Sequence, residues 1–434
     1  MSDLTLDPVQ RPFAATVTPP GSKSLTNRAL VLAALAEGVS TLSNLLFADD
    51  TQVMLDGLGR LGFRLDVDRA AARVRVHGGG GKITAASAEI FCGNSGTTIR
   101  FLTALCGLGR GEFTLDGVPR MRQRPIGELL DKLRNLGVRV TCRDAAGYPP
   151  VTVLADGMAG GIIRFGAAQS SQYLSAILMA SPQARHEVSV DLDSGQTSWP
   201  YVAMTMRMMD EFGVTCELLK DRDTGEPRRI IVPGGVYAAR DCAIEPDASN
   251  ASYFLALAAI HPAAKVTIHG LGRASLQGDV GFADVLRRMG ADVAVTADSI
   301  TVTGISPLRG IDVDLSSMPD TAQTLAVAAL FAQGPTTIRG LRTLRVKETD
   351  RLAALSAELT KLGAGVEIEN DSLTIDPPRH PRGAAIDTYD DHRMAMSFSL
   401  AATKIGGVTI RDAGCVAKTY PNYFDDLRRV LGST

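Results

Sequence analysis

No surplus of either charge sign marks this 434-residue chain: 45 Lys and Arg stand against 47 Asp and Glu, a formal net charge of −2. Without a basic excess there is no electrostatic reason to expect a nucleic-acid partner. Long hydrophobic runs are missing too, the longest being about eight residues around Ala29 to Ala36, too short for a membrane span. The start, Met1-Ser-Asp-Leu-Thr-Leu-Asp, has neither the basic nor the apolar region of a signal peptide. The six cysteines (Cys92, Cys106, Cys142, Cys216, Cys242, Cys415) show no C-x-x-C spacing. Reduced, mostly buried thiols in a cytoplasmic enzyme are therefore expected. No His, Cys and carboxylate cluster has zinc spacing and no G-x-S-x-G elbow occurs, so neither a metal nor a serine nucleophile is expected. Gly57-x-Gly59-x-x-Gly62 matches the dinucleotide fingerprint by letter, but it ends an amphipathic helix instead of following a strand. Gly78 to Gly81 before Lys82 lacks the Walker spacing. No cofactor is expected.

The sequence instead repeats itself six times. A hydrophobic-Gly step closes an amphipathic stretch at Leu61-Gly62, Leu136-Gly137, Phe212-Gly213, Met289-Gly290, Leu362-Gly363 and Leu431-Gly432, at intervals of 75, 76, 77, 73 and 69 residues. A fixed period of this kind decides the architecture before any single motif does. Each repeat also holds a second, strongly apolar helix candidate, beginning near Ser24, Gly96, Ser171, Asn250, Thr321 and His392. Helices apolar all round belong in a core and one-sided helices at a surface, so each repeat is read as one buried and one outer helix. β-branched runs such as Val138-Arg-Val-Thr, Val151-Thr-Val, Val188-Ser-Val and Leu373-Thr-Ile supply strands between them.

The expected unit is β-α-β-α-β-β, and the fold class is α/β. Six units in 434 residues exceed one comfortable core and divide into two domains of three. The first is expected at residues 21–240 and the second at 1–20 plus 241–434, with chain crossings near Pro19-Pro20-Gly21 and Arg240-Asp241 forming a hinge. The sixth repeat ends at its outer helix, and the run Phe13-Ala-Ala-Thr-Val-Thr is expected to supply one of its missing strands.

Buried helices packed in parallel within each half would bring their amino-terminal ends to one face. Such ends carry partial positive charge and unpaired N–H groups, which suit phosphate or carboxylate. Several residues there are not what a purely structural repeat needs. Lys23 and Arg28 open the first buried helix, where cations oppose the helix dipole. They are either solvated surface charges or anion ligands. Arg124, just before Pro125 at a helix start, stands out from its neighbours Arg120 and Arg122. Arg345-Val-Lys347-Glu348-Thr-Asp350-Arg351 packs five charges into seven residues; Lys347 and Arg351 project together if the segment is helical, and an exposed salt-bridged helix is the alternative. Asp390, Asp391 and Asp320 are N-cap candidates, Arg393 repeats the oddity of Arg28, and Ser170-Ser171-Gln172 offers hydroxyls and an amide.

With these residues assembled, the chain resembles the 5-enolpyruvylshikimate-3-phosphate synthase family, also called 3-phosphoshikimate 1-carboxyvinyltransferase, over nearly its full length. The resemblance is carried by PGSKSLTNR at 20–28, GNSGTTIR at 93–100, RPIGELLDKLRNLG at 124–137, SSQYLSA at 170–176, PDTAQTLA at 319–326, RVKETDRL at 345–352, DDHRMAMS at 390–397 and AKTYPNYF at 417–424. It implies a two-domain inside-out α/β barrel closing on a ligand-filled cleft. It also implies transfer of the enolpyruvyl group of phosphoenolpyruvate to the 5-hydroxyl of shikimate 3-phosphate, with release of phosphate.

Carried over by position, the resemblance assigns shikimate 3-phosphate to Lys23, Ser24, Arg28, Ser170, Ser171, Gln172, Ser198, Tyr201, Asp320, Thr343 and Lys347. It assigns phosphoenolpyruvate to Lys23, Asn94, Gly96, Arg124, Gln172, Arg351, His392, Arg393 and Lys418. Asp320 is implied as the base, Glu348 as the proton donor and Lys23 as their shared partner. The chain departs from the family pattern at Phe101, where many members carry proline, and at Thr343, where many carry asparagine. Gly96 implies inhibition by glyphosate, a phosphonate mimic. A monomer acting in the cytoplasm is expected.

Two other readings remain. The sister enolpyruvyl transferase acting on UDP-N-acetylglucosamine usually has a reactive cysteine in the loop matching Arg120 to Arg124, where this chain has none. A non-catalytic anion-binding repeat protein would have no use for Asp320 and Glu348 near Lys23.

Overall fold

A computed structural model describes residues 3–166, 170–194, 198–305 and 307–432. Twelve α-helices form among them: α1 (Lys23–Leu35), α2 (Asp49–Arg60), α3 (Gly96–Cys106), α4 (Gly127–Asn135), α5 (Ser171–Ala180), α6 (Trp199–Glu211), α7 (Ala248–Ile260), α8 (Phe282–Met289), α9 (Ala322–Ala329), α10 (Arg351–Lys361), α11 (His392–Ala402) and α12 (Tyr423–Leu431). The odd-numbered helices are the inner ones. Every residue of α3, α7, α9 and α11 is buried, as Ala- and Leu-rich sequences without a polar stripe require. The even-numbered helices bury one side only; α4, for example, buries Leu129, Leu130 and Leu133, the i, i+1, i+4 pattern of a surface helix.

The six hydrophobic-Gly steps end the six outer helices for one physical reason. Gly62, Gly137, Gly213, Gly290, Gly363 and Gly432 all have positive φ, between +70° and +109°. Each N–H turns back onto a carbonyl of the last helical turn, as Gly213 does to Asp210 at 2.9 Å. Only glycine enters this backbone region without a Cβ penalty.

The chain divides into two compact units, Gly21–Ile244 (the first unit) and Met1–Pro20 with Glu245–Thr434 (the second). In the first unit each repeat makes a four-stranded sheet with one parallel and two antiparallel pairings. The second repeat orders its strands Ser87–Phe91, Arg110–Asp116, Val151–Asp156, Arg139–Cys142, and the third orders Gly161–Phe165, Val188–Leu192, Pro227–Val232, Glu217–Lys220. In the first repeat Cys242–Ala243 pairs in parallel with Glu37–Ser43 as the opening strand, so the unit runs to Ile244. Strands alternate; Val188, Val190 and Leu192 are buried between half-buried Ser189 and Asp191. Each unit is thus an α/β barrel turned inside out, with apolar helices inside and sheets around them.

The second unit follows the same plan with a correction to the expected strand exchange. Ala14–Val17, within the run expected to complete the sixth repeat, pairs in parallel with Lys265–His269 and opens the fourth repeat's sheet. The sixth repeat's sheet is completed by Leu4–Thr5, antiparallel to Thr409–Ile410. The alternation of a strand marks its buried face but not its neighbour, which is why the sequence assigned the wrong partner. All six cysteines are free, and Cys92, Cys106 and Cys415 are buried. Among the described residues no helix is long and apolar enough to cross a membrane.

Candidate active site

In the first unit, serine side chains cap the inner helices. Ser22, Ser95 and Ser170 accept from the N–H groups of Leu25, Thr98 and Gln172 at 3.4, 3.4 and 3.3 Å, satisfying donors that helix starts leave open. Arg28, in the second turn of α1, is buried. Its Nε donates to Thr205 Oγ1 at 2.7 Å, Nη1 to the Ser24 carbonyl at 3.0 Å, and Nη2 to Ser175 Oγ at 3.2 Å and the Tyr201 carbonyl at 3.4 Å. The guanidinium lies 5.2 Å from the centre of the Phe101 ring, so the unusual Phe101 supplies an aromatic face to Arg28. All these partners are neutral. Burial pushes the Arg28 pKa down to about 10, with Tyr201 opposing. A buried cation in neutral company is stabilised by an incoming anion.

Gly96 begins α3 under two arginines. Arg124, buried, donates from Nη1 to the Asn94 carbonyl at 2.8 Å and to Asn94 Oδ1 at 3.2 Å. A Cβ on Gly96 would meet Arg124 Nη2 at 2.5 Å and Arg100 Nη1 at 3.0 Å. Lys23 Nζ lies 3.1 Å from Asp50 Oδ2. Ser24, Ser171, Gln172 and Tyr201 are half-buried, and Ser198 precedes α6 with a left-handed φ of 57°. That backbone is uncommon for a residue with a Cβ.

In the second unit a dense ionic cluster forms around Arg351, the first residue of α10. This side chain is 1% exposed. Nε and Nη2 donate to Asp391 at 2.7 and 3.2 Å, Nη2 donates to Glu348 Oε2 at 2.9 Å, and Nη1 to Asp320 Oδ1 at 3.4 Å. Burial by itself disfavours the charge, but Asp391, Glu348 and Asp320 more than offset it and raise the pKa above its ordinary value. Asp320 also accepts from Arg393 Nη2 at 2.9 Å and lies 3.5 Å from Lys347 Nζ. Arg393 Nη1 reaches Tyr253 Oη at 3.2 Å. Lys418 Nζ is 4.0 Å from Glu348 Oε1, and buried His392 has Nδ1 3.7 Å from Asp391 Oδ1.

The N-cap candidates separate here. Asp391 caps α11, accepting from Arg393 N–H at 2.9 Å. Asp320 does not cap α9, whose N-cap is Thr321; it sits in the Pro319–Thr321 turn and takes three cations instead. Lys347 and Arg351 meet on Asp320 although Lys347 ends a 3-10 turn and only Arg351 is in α10. Arg345 is the exposed, salt-bridged member of that run, 3.2 Å from Asp350. Thr343 is buried, and its Oγ1 has no hydrogen-bond partner.

Two participants escaped the sequence. Asp279, in the turn before α8, is buried and accepts from Ser249 Oγ. Burial first, then the charge of Asp320, raises its pKa to about 6. Loops before outer helices had shown charge in two other repeats, and that parallel was the available signal. Arg100 lies in GNSGTTIR and, like Arg28, is an arginine in the first turns of an apolar helix.

The two inside-out barrels have an enolpyruvyl-transferase fold: the enolpyruvyl transferase NikO from Streptomyces tendae superposes with a TM-score of 0.77 at 19% identity, covering 98% of this chain and 96% of that one. EPSP synthase from Acinetobacter baumannii superposes with a TM-score of 0.81 at 26% identity, over 98% of this chain and 97% of that one. The family model of EPSP synthase (3-phosphoshikimate 1-carboxyvinyltransferase) matches residues 9–427, and the chain belongs to that family. It is 47% identical to the chloroplastic 3-phosphoshikimate 1-carboxyvinyltransferase of Arabidopsis thaliana, over 99% of this chain and 84% of that protein. It is 46% identical to the 3-phosphoshikimate 1-carboxyvinyltransferase of Sulfurovum sp. (strain NBC37-1), over 99% of both.

Proposed function

We propose that this chain transfers the enolpyruvyl group of phosphoenolpyruvate to the 5-hydroxyl of shikimate 3-phosphate. The observation that carries the reading is Arg351, a buried guanidinium holding Asp320 at 3.4 Å and Glu348 at 2.9 Å. The shared guanidinium holds two carboxylates in one site, and one of them can act as base and the other as acid if each reaches its proton. Asp320 takes the 5-hydroxyl proton as that oxygen bonds to C2 of phosphoenolpyruvate, while Glu348 delivers a proton to the methylene carbon. The tetrahedral adduct then breaks its C–O bond to phosphate, and loss of a proton from the new methyl group restores the double bond. Cations beside a carboxylate ordinarily favour its ionised form, so in this reading Glu348 recovers its proton through closure or ligand charge.

In this reading Lys23, Ser24, Arg28, Ser170, Ser171, Gln172, Ser198, Tyr201, Asp320, Thr343 and Lys347 serve shikimate 3-phosphate. Lys23, Asn94, Gly96, Arg124, Gln172, Arg351, His392, Arg393 and Lys418 serve phosphoenolpyruvate. Arginine forks match carboxylate and phosphate, each charge-assisted bond contributing about 1.5–3 kcal/mol.

A phosphate-release assay with phosphoenolpyruvate and either shikimate 3-phosphate or UDP-N-acetylglucosamine tests the proposal. Release with shikimate 3-phosphate alone is expected; release with the nucleotide sugar, or with neither acceptor, overturns it. Asp320→Ala is expected to abolish turnover with ligand binding still measurable, and near-normal turnover removes Asp320 as the base.

A further inference from the structure

Arg100 lies one turn into α3 from Gly96 and is buried. Its Nη1 donates to Gln172 Oε1 at 2.5 Å and its Nη2 to the Pro125 carbonyl at 3.4 Å. Arg100 Cζ lies over the Tyr173 ring, 5.1 Å from its centre, and Tyr173 Oη donates to the same Pro125 carbonyl at 2.5 Å. Burial raises the Tyr173 phenol above its usual pKa, which keeps it a donor. The arginine is therefore held from three sides. Gln172, second residue of α5, is half-buried.

An amide carries an acceptor oxygen and a donor NH2 on different arms of one planar group. Arg100 has only donors, so the flipped Gln172 amide would set donor against donor. The flip is closed off, and the Gln172 NH2 is left turned away from the guanidinium. We propose that Arg100 is a positioning residue that fixes the orientation of Gln172, so that its NH2 donates to an anionic oxygen of phosphoenolpyruvate. This rests on the proposed reading of Gln172 as a ligand-contacting residue. Gly96 belongs to the same device, because a methyl group there would press on Arg100 Nη1 from 3.0 Å.

The test is a double-mutant cycle in the full chain, reading phosphate release at saturating shikimate 3-phosphate. Arg100→Met and Gln172→Met are each expected to raise KM for phosphoenolpyruvate about tenfold, with kcat changed by less than about threefold. The double variant is expected to stay near tenfold, because both changes remove the same donor. An approximately hundredfold rise in the double variant, or an Arg100→Met KM within about twofold of the parent, overturns the proposal.

Gln172→Glu keeps the test decisive if Arg100→Met fails to fold. Its carboxylate still partners Arg100, so the melting temperature is expected at or above that of the parent, while KM for phosphoenolpyruvate rises at least about tenfold through repulsion. An unchanged KM in this variant also overturns the proposal. A parent protein that releases no phosphate defeats the reaction assignment instead, so the two failures are separable.

Discussion

Gly96→Ala perturbs the candidate site through a known contact. The new Cβ would lie 2.5 Å from Arg124 Nη2, 3.0 Å from Arg100 Nη1 and 3.1 Å from Arg124 Cζ. Ordinary contact begins near 3.4 Å, so the Arg124 guanidinium must retreat by about 1 Å. Its bond to the Asn94 carbonyl is 2.8 Å long, and a shift of that size carries a charge-assisted bond out of range. The loss of one such bond to a ligand oxygen is worth about 1.5–3 kcal/mol, or roughly 10- to 150-fold in affinity. The helix propensity of alanine, better by about 1 kcal/mol or less, offsets only part of the lost Arg124–Asn94 bond. Steady-state phosphate release should then show KM for phosphoenolpyruvate raised at least about tenfold and glyphosate inhibition weakened at least as far, in a variant that still unfolds cooperatively. A KM within about twofold of the parent in a folded variant would refute the argument that two guanidinium groups need the empty space over Gly96.

Asp279 gives a pH dependence with a definite sign. Its folded pKa of about 6 lies above the unfolded 3.8, so the folded state holds the proton longer and stability falls as pH rises across that window. The span corresponds to roughly 3 kcal/mol. Asp279→Asn removes this loss, and urea unfolding at pH 4 and pH 7 should show the variant gaining on the parent only at the higher pH; equal gains at both would contradict the assignment. Gly213→Ala tests the helix-end motif by itself. Gly213 has a φ of +89° and the nearest atom to an added Cβ is 3.7 Å away, so backbone strain is the whole effect, and chemical denaturation should report a loss of about 1–2 kcal/mol. No loss would mean that the outer-helix terminus relaxes freely.

Features governed by local chemistry were open to reading from the chain alone. The Leu136-Gly137 kind of step is legible because a left-handed backbone at a helix end admits glycine and little else. The inner helices show themselves by having no polar stripe, and Lys23, Arg28 and Arg393 by sitting where a helix dipole disfavours cations. The same local rules made Asp391 and Asp320 indistinguishable as caps. Only the folded chain separated them, by bringing Arg393 to Asp320 across 73 residues and Arg351 to Asp391 across 40.

The strand exchange and the arginine network lie further still from local rules. Ala14–Val17 and Leu4–Thr5 are short extended runs whose partners, Lys265–His269 and Thr409–Ile410, lie hundreds of residues away. Arg100 finds Gln172 at a separation of 72. By itself the sequence determined the repeat, its helix ends and the cationic character of its inner-helix starts, because backbone sterics and burial act residue by residue. The tertiary structure alone decided which carboxylate meets which cation and which way an amide faces, because those energies depend on distances of a few ångströms between groups that the chain does not place together.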